Sequence, residues 1–383
     1  MIDTIVWVLL IVPAFVTLIL VVELIAALFP ARSVRAEGAP GIAIIIPAHD
    51  EEAGIAATMT GIRASAPEGA RLIVVADNCS DRTAETAREA GAEVLERDDP
   101  DRRGKGFALA FARDNLAADP PDVVLIIDAD CAVADDGIAR LAATAWAGGR
   151  PVQSAYLLRP RPDLGAMVGL SGFAFLVRNM VRQRGLARLG APALLTGSGM
   201  AFRWDVFAGA PLATADLAED LALGAALARS GSPPVFLSGV ATWSGPARRA
   251  ATRAQRTRWE QGFLRVAMRE APSLLASGRW PLTWLGLHLL VPPLALLVLI
   301  DSATLVLLGW RAGSGGTAMP FTLLAGVLAG LLLLLGLTWL RFGRAQISGL
   351  RLLLIPLYII WKVPIYLRAL FRPERRWVRT DRD

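Results

Sequence analysis

Cysteine and histidine are nearly absent from this chain of 383 residues, with two of each: Cys79, Cys131, His49 and His288. The cysteines lack metal-ligand spacing, and a reducing cytosol would keep both as thiols. Two histidines exclude a histidine-rich metal site. Charge is sparse as well, at 19% of residues against about 25% in a soluble domain. No Gly-x-Gly-x-x-Gly follows the first predicted strand and no Walker-type Gly-Lys-Ser/Thr occurs, so neither phosphate-binding fingerprint applies. The middle of the chain shows no internal repeat and no low-complexity segment.

Apolar residues fill the place of charge, at 54% of the chain, and they are concentrated at its two ends. Thr4 to Phe29 is an apolar run with one acid, Glu23, long enough to cross a bilayer core of about 30 Å. Its start, MIDT, carries an acid and no base, and the run is too long for a cleaved signal peptide, so a retained span is expected. Leu282 to Trp310 and Ala318 to Leu340 read as two further spans joined by the loop RAGSGGT. A fourth apolar stretch, Leu350 to Leu370, is interrupted by Lys362, Arg368, Pro356 and Pro364. It fits an interfacial or re-entrant helix as well as a span.

The flanking bases set the expected orientation. Arg32 and Arg35 follow the first span, Arg279 precedes the second, Arg341 and Arg344 follow the third, and the tail RPERRWVRTDRD is basic. These place residues 31–281 in the cytoplasm with the N-terminus outside, as in a multi-pass protein of a bacterial-type inner (plasma) membrane. The expected organisation is a transmembrane helix over 1–30, a cytoplasmic domain over 31–281, a membrane region over 282–372 and a basic tail over 373–383. The net charge of +6 is explained by this anchoring, with anionic lipid or phosphate contacts second; no nucleic-acid partner is expected.

Between the apolar ends, strand and helix patterns alternate. GIAIIIPAHDEE, ARLIVVADNCSD, EVLERDD and DVVLIIDADC read as strands. The stretch from about Gly54 to Ser65, RTAETAREAGA and KGFALAFARDNLA read as helices. Continuous apolar strands alternating with helices imply an α/β fold whose sheet is covered on both faces. Such sheets bind ligands beyond the C-terminal ends of their strands.

Those strand exits carry Pro47-Ala48-His49-Asp50-Glu51, then Asp77-Asn78-Cys79-Ser80-Asp81, then Asp128-Ala129-Asp130. Paired carboxylates at a sheet edge repel and lose hydration unless something positive sits beside them. Taken alone, Asp-x-Asp is equally a strand end with a solvated turn, and Asp81 equally a helix cap. Lys105, between two glycines at a helix start, can reach a diphosphate or be a solvated lysine in a turn.

In order, the chain also carries TGSGMAFR (Thr196–Arg203), AEDLALG (Ala218–Gly224) and QRTRW (Gln255–Trp259). Together with PAHDE (Pro47–Glu51), VVADNCSD, RGKG and Asp128-Ala129-Asp130, this ordered set resembles the membrane-bound inverting family 2 glycosyltransferases. The resemblance covers roughly residues 40–265 and the flanking spans. It implies the GT-A fold, a Rossmann-like mixed sheet that binds a nucleotide sugar, with helices on both faces.

The resemblance also implies roles. Pro47, Glu51, Asp77, Lys105 and Asp128 would bind the nucleotide sugar, UDP-linked as the leading expectation. Asp130, with Asp128, would hold Mg2+ or Mn2+, hard cations that prefer oxygen ligands. Asp220 would be the general base that takes the acceptor's proton. Glu219, Gln255, Arg258 and Trp259 would form the acceptor and diphosphate pocket. TGSGMAF would lie where the acceptor enters, its small residues allowing close approach. His49 is expected to be a packing or polar residue rather than a catalyst. The chain departs from the family pattern at Ala218, where Thr is usual, at Asp50, where Asn is usual, and at Asn78, where a second Asp is frequent.

The expected partners are a nucleotide-sugar donor, a polysaccharide or lipid acceptor and membrane lipids, with further subunits open. Two other readings stand beside this one. A non-catalytic nucleotide-sugar-binding membrane scaffold would not need Asp77, Asp128, Asp130 and Asp220, all of which are present. A cytidylyl- or phosphotransferase would have no use for Gln255, Arg258 and Trp259.

Overall fold

The computed structural model describes residues 2–30, 37–216, 218–245 and 249–371, with side chains described outside 2–5, 249–258 and 368–371. After a long first helix, α1 (Ile2–Leu28), strands and helices alternate: β1 (Ile42–Ala48), α2 (Ile55–Ser65), β2 (Arg71–Asp77), α3 (Thr83–Glu89), β3 (Glu93–Arg97), α4 (Lys105–Leu116), β4 (Val123–Ile126), β5 (Cys131–Val133), α5 (Gly137–Gly148) and β6 (Val152–Leu158). There follow α6 (Ala166–Leu176), α7 (Arg182–Leu189), β7 (Met200–Arg203), α8 (Trp204–Ala208), α9 (Glu219–Arg229), β8 (Val235–Ser244) and α10 (Arg249–Leu275). The C-terminal part is helical: α11 (Trp280–Leu290), α12 (Leu294–Gly313), α13 (Met319–Thr338), α14 (Gly349–Leu352) and α15 (Ile355–Phe371).

The strands form one sheet in the order β3-β2-β1-β4-β7-β6-β8-β5. β3, β2, β1 and β4 are parallel, and β7 then reverses the polarity, pairing Val123 with Arg203 and Ile126 with Met200. The period-two alternation of β1 shows why both faces are covered. Ile44 and Ile46 pack with Ile55, Met59 and Ile62 of α2 and with Ile138 and Leu141 of α5. Ala43 and Ile45 point the other way, onto Leu109 of α4 and Leu223 and Leu227 of α9. A strand buried on both sides has to be apolar throughout, and β1 is. This is the mixed sheet expected of the GT-A fold.

Three helices are long and apolar enough to cross a membrane among the described residues: Val6–Leu28, Leu294–Gly313 and Met319–Gly343. The first and third match the expected spans. The second corrects the expectation of one helix from Leu282 to Trp310. Pro292 and Pro293 supply no N–H and force the preceding backbone out of the helical region, and Val291 is extended at ψ 108°. The run is therefore two helices, α11 and α12. The fourth apolar stretch becomes α14 and α15. The 17 residues of α15 fall short of the ~20 that a span needs.

The acid in the first helix has a structural answer. Glu23 is fully buried and accepts from Arg182 Nε of α7 at 2.6 Å, while His288 Nδ1 of α11 lies 2.8 Å from its other oxygen. Arg182 also donates to the His288 carbonyl at 3.1 Å. Higher in α1, Thr17 donates to Asp301 of α12 at 2.7 Å. The apolar helices are thus tied by polar contacts to one another and to the segment beneath the sheet.

Candidate active site

The site sits where the parallel half of the sheet ends. β4 stops at Ile126, and the Asp128 N–H then donates to Ser198 Oγ at 3.0 Å. This contact holds the turn against the Thr196–Arg203 segment. The Cys131 N–H donates back to the Asp128 carbonyl at 2.9 Å, closing the tight turn that presents Asp128 and Asp130 together. Lys105, the first residue of α4, reaches across to Asp128 Oδ1 in an ion pair and donates to the Gly197 carbonyl at 2.6 Å. The positive neighbour that the paired carboxylates require is therefore supplied by the chain itself.

Gly197 marks the centre of the site. Its φ is +91°, a region that glycine enters without strain, and a Cβ there would lie 3.2 Å from Asp220 Oδ2, 3.5 Å from Lys105 Nζ and 4.0 Å from Asp128 Oδ2. Three charged groups from α4, the β4 exit and α9 converge on one bare stretch of backbone. Around them lies a cavity of about 200 Å³ lined by Lys105, Asp128, Glu219, Asp220 and Trp259, among others. Its far wall is aromatic: Tyr156 meets Phe175 edge-on at 5.4 Å, and Phe175 meets Trp259 at 5.5 Å.

Burial and mutual repulsion push Glu219 up to about 7 against the pull of Lys105, and burial also raises Asp220 despite Lys105, the Leu221 N–H and Arg178. Burial alone would lower Lys105, but Asp128, Glu219 and Asp220 together hold it above the usual lysine value. The Leu221 N–H donates to Asp220 Oδ1 at 2.7 Å, which fixes the carboxylate and leaves Oδ2 toward Gly197.

The donor set beside the turn fits a hard divalent cation. Ligand atoms of Asp128, Asp130 and Cys131 lie within 4.8 Å of one another. Burial and the two carboxylates push the Cys131 thiol well up, which leaves the two carboxylates as the oxygen donors suited to a hard cation. Asp130 Oδ2 accepts from Ser244 Oγ at 2.8 Å, which orients it.

Of the residues singled out in the sequence, Lys105, Asp128, Glu219, Asp220 and Trp259 line the cavity, and Asp130 stands beside it. Pro47, Glu51 and Asp77 lie along the same sheet edge but outside this cavity. Pro47 pairs with Val75 in the β1–β2 ladder, and the Glu51 N–H donates to Thr83 Oγ1 at 2.7 Å. Asp77 accepts from Arg97 at 2.6 Å and from Asn78 at 3.0 Å, and its carbonyl lies 2.7 Å from His49 Nδ1. The side chains of Gln255 and Arg258 lie outside the described residues, although both positions fall on α10.

Sequence reasoning missed Arg178. It stands in a single widened turn of π-helix, Val177–Val181, between α6 and α7, and lines the cavity beside Asp220 and Trp259. A lone π-turn marks functional sites more often than chance. The readable signal was the run FLVRNMVRQRG, where arginines interrupt an apolar helix. Phe175 and Tyr156 were likewise visible only as apolar residues.

The fold has known counterparts. The mannosyltransferase PcManGT from Pyrobaculum calidifontis, solved with GDP-Man and Mn2+, superposes with a TM-score of 0.60 at 18% identity, covering 98% of this chain and 100% of that one. The low-salt glycan biosynthesis hexosyltransferase Agl6 of Haloferax volcanii is 38% identical over 96 residues, 24% of this chain and 22% of that protein. The match thus spans less than a quarter of that relative's length. The profile of the family described as glycosyltransferase like family 2 matches residues 40–262, more than half of the chain. The chain belongs to that family.

Proposed function

We propose that this chain is a membrane-bound inverting glycosyltransferase that moves a sugar from a nucleotide sugar to the hydroxyl of a polysaccharide or lipid acceptor, with Asp220 as general base. The observation that carries this reading is the convergence of Asp220, Lys105 and Asp128 around Gly197. A base must reach the proton it removes, and the anionic leaving group needs a cation on the opposite side of the reacting carbon. In a single displacement the acceptor O–H gives its proton to Asp220, and its oxygen forms the new bond to the anomeric carbon. The bond from that carbon to the diphosphate oxygen breaks, and the electron pair leaves with the nucleoside diphosphate. Attack opposite the leaving group inverts the centre.

Lys105 offers N–H donors to diphosphate oxygens once Asp128 turns to the donor, and Trp259 with Phe175 gives the acceptor an apolar platform. Asp128 and Asp130 would hold Mg2+ or Mn2+. When bound, that cation supplies charge neutralisation at the departing diphosphate. Pro47, Glu51 and Asp77 are assigned to the nucleoside end, where the parallel strands finish. Gln255 and Arg258 keep the diphosphate role that their motif implies.

The catalytic sheet is assigned to the cytoplasmic side of a bacterial-type inner membrane. Arg279 precedes the C-terminal apolar helices and Arg341 and Arg344 follow Ala318–Leu340 in the sequence, a distribution of bases that supports this assignment. The pairing of Lys362 of α15 with Glu260 of α10 supports assigning α15 to that same side.

The test is a screen of radiolabelled GDP-mannose, UDP-glucose and UDP-N-acetylglucosamine on full-length protein in native-lipid nanodiscs, with Mn2+ or Mg2+. Support is metal-dependent incorporation into an organic-extractable or insoluble product that drops about a thousandfold in Asp220→Asn. Absence of binding by every sugar nucleotide in the presence of metal refutes the reading.

A further inference from the structure

Behind the aromatic wall lies a second cavity, which the proposed reaction has not used. Phe175, Arg178 and Trp259 line both cavities, so one layer of side chains separates them. The second cavity is built from the parts of the chain suited to a bilayer: Leu20 of α1, Val291 and Leu294 at the α11–α12 break, and Ala295 of α12. Its apolar lining belongs to the cluster that joins α1, α6, α12 and α15.

Ser171, Arg182, Tyr358 and Lys362 also line the chamber, but they are taken up by hydrogen bonds and ion pairs within the chain; the group left unmet stands at the end toward the site. The Arg178 guanidinium lies 4.8 Å from the Phe263 ring centre, and its Nε is buried with no hydrogen-bond partner among the described residues. Glu260 takes Lys362 on one oxygen, and the buried Tyr366 hydroxyl stands beside its carboxylate. An unmet buried donor is costly, and it marks where a ligand completes the structure.

We propose that this chamber receives the hydrocarbon body of a membrane lipid and presents its hydroxyl headgroup past Arg178 to Asp220. The inference rests on the glycosyltransferase reading and names the acceptor class. An apolar body with an unmet polar group at one end has the form of an amphiphile. A growing saccharide would need free hydrogen-bonding groups along its whole track; Leu20, Val291, Leu294 and Ala295 offer none, and Ser171, Arg182, Tyr358 and Lys362 are already paired within the chain. The break at Pro292 and Pro293 parts α11 from α12 at this wall, so the chamber meets the level of the apolar helices. Arg178 acts there as a positioning residue, its Nε–H directed to the headgroup oxygen.

The experiment uses full-length protein in nanodiscs and diazirine-bearing hexadecanol as the photolabel. Wild type is expected to take the label on residues 174–178 and 291–295. Ala295→Trp, which fills the chamber, is expected to lose that labelling and to lose transfer into the organic-extractable fraction at least about tenfold, while metal-dependent sugar-nucleotide binding stays within about twofold. Arg178→Gln is expected to raise the KM for lipid acceptor about tenfold with little change in donor affinity, and Arg178→Lys to recover part of it. Labelling confined to the outward faces of the apolar helices overturns the proposal. So does an insoluble polymer as the product, or normal lipid transfer by Ala295→Trp. Failure of every sugar nucleotide to bind would instead overturn the glycosyltransferase reading itself.

Discussion

Glu23 and Arg182 form a buried ion pair 2.6 Å long that joins the first apolar helix to the segment beneath the catalytic sheet. Removing one partner of a buried pair strands the other charge, at a cost of about 3–5 kcal/mol. Glu23→Ala is therefore expected to lower the unfolding midpoint in detergent far more than substitution of an exposed apolar residue such as Val12. An unchanged midpoint would mean that the pair is not formed in the folded protein.

Lys105 balances three carboxylates at once. Lys105→Met leaves Asp128, Glu219 and Asp220 without that cation, so donor affinity should fall about tenfold or more. The acid limb of the transfer rate should move to higher pH, since Asp220 then holds its proton more tightly. A purely structural lysine would cost stability and leave the acid limb where it was, and the pH–rate profile separates the two cases.

Glu219 gives a pH signature in stability. Its carboxyl is raised from 4.5 to about 7 in the folded chain, so the native state keeps a proton that the unfolded state has already released. Its favourable contribution is complete below pH 4.5 and disappears as the pH rises toward 7. Glu219→Gln does not titrate, and its stability relative to wild type should increase across that window. Denaturant melts at the two ends of the window check this, and parallel pH dependences for both proteins would contradict it.

Gly199 has φ +67°, and a Cβ there would overlap Ser154 Oγ and Thr242 Oγ1, two buried hydroxyls bonded to each other at 2.7 Å. Gly199→Ala should cost on the order of 2–3 kcal/mol through backbone strain and forced repacking. The shift should appear in thermal unfolding, and unchanged stability would show that the segment can move aside.

The strands β1, β2 and β4 were legible because burial on both faces demands unbroken apolar residues, and α4 because its polar start precedes apolar periodicity. The polarity reversal at β7 was not legible. It depends on pairing Ile126 with Met200 across a long stretch of chain, and no local pattern encodes that partner. The division of Leu282–Trp310 was written in Pro292 and Pro293, but continuous hydropathy masked it. In the site, charged residues with a motif around them were found, whereas Arg178 was hidden because only the fold brings the π-turn to Asp220.

Lys362 pairs with Glu260, the neighbour of Trp259, and so a residue made late in synthesis braces a wall begun a hundred positions earlier. A nascent chain that has folded only the sheet still lacks that brace, and the wall is complete only once α15 has docked.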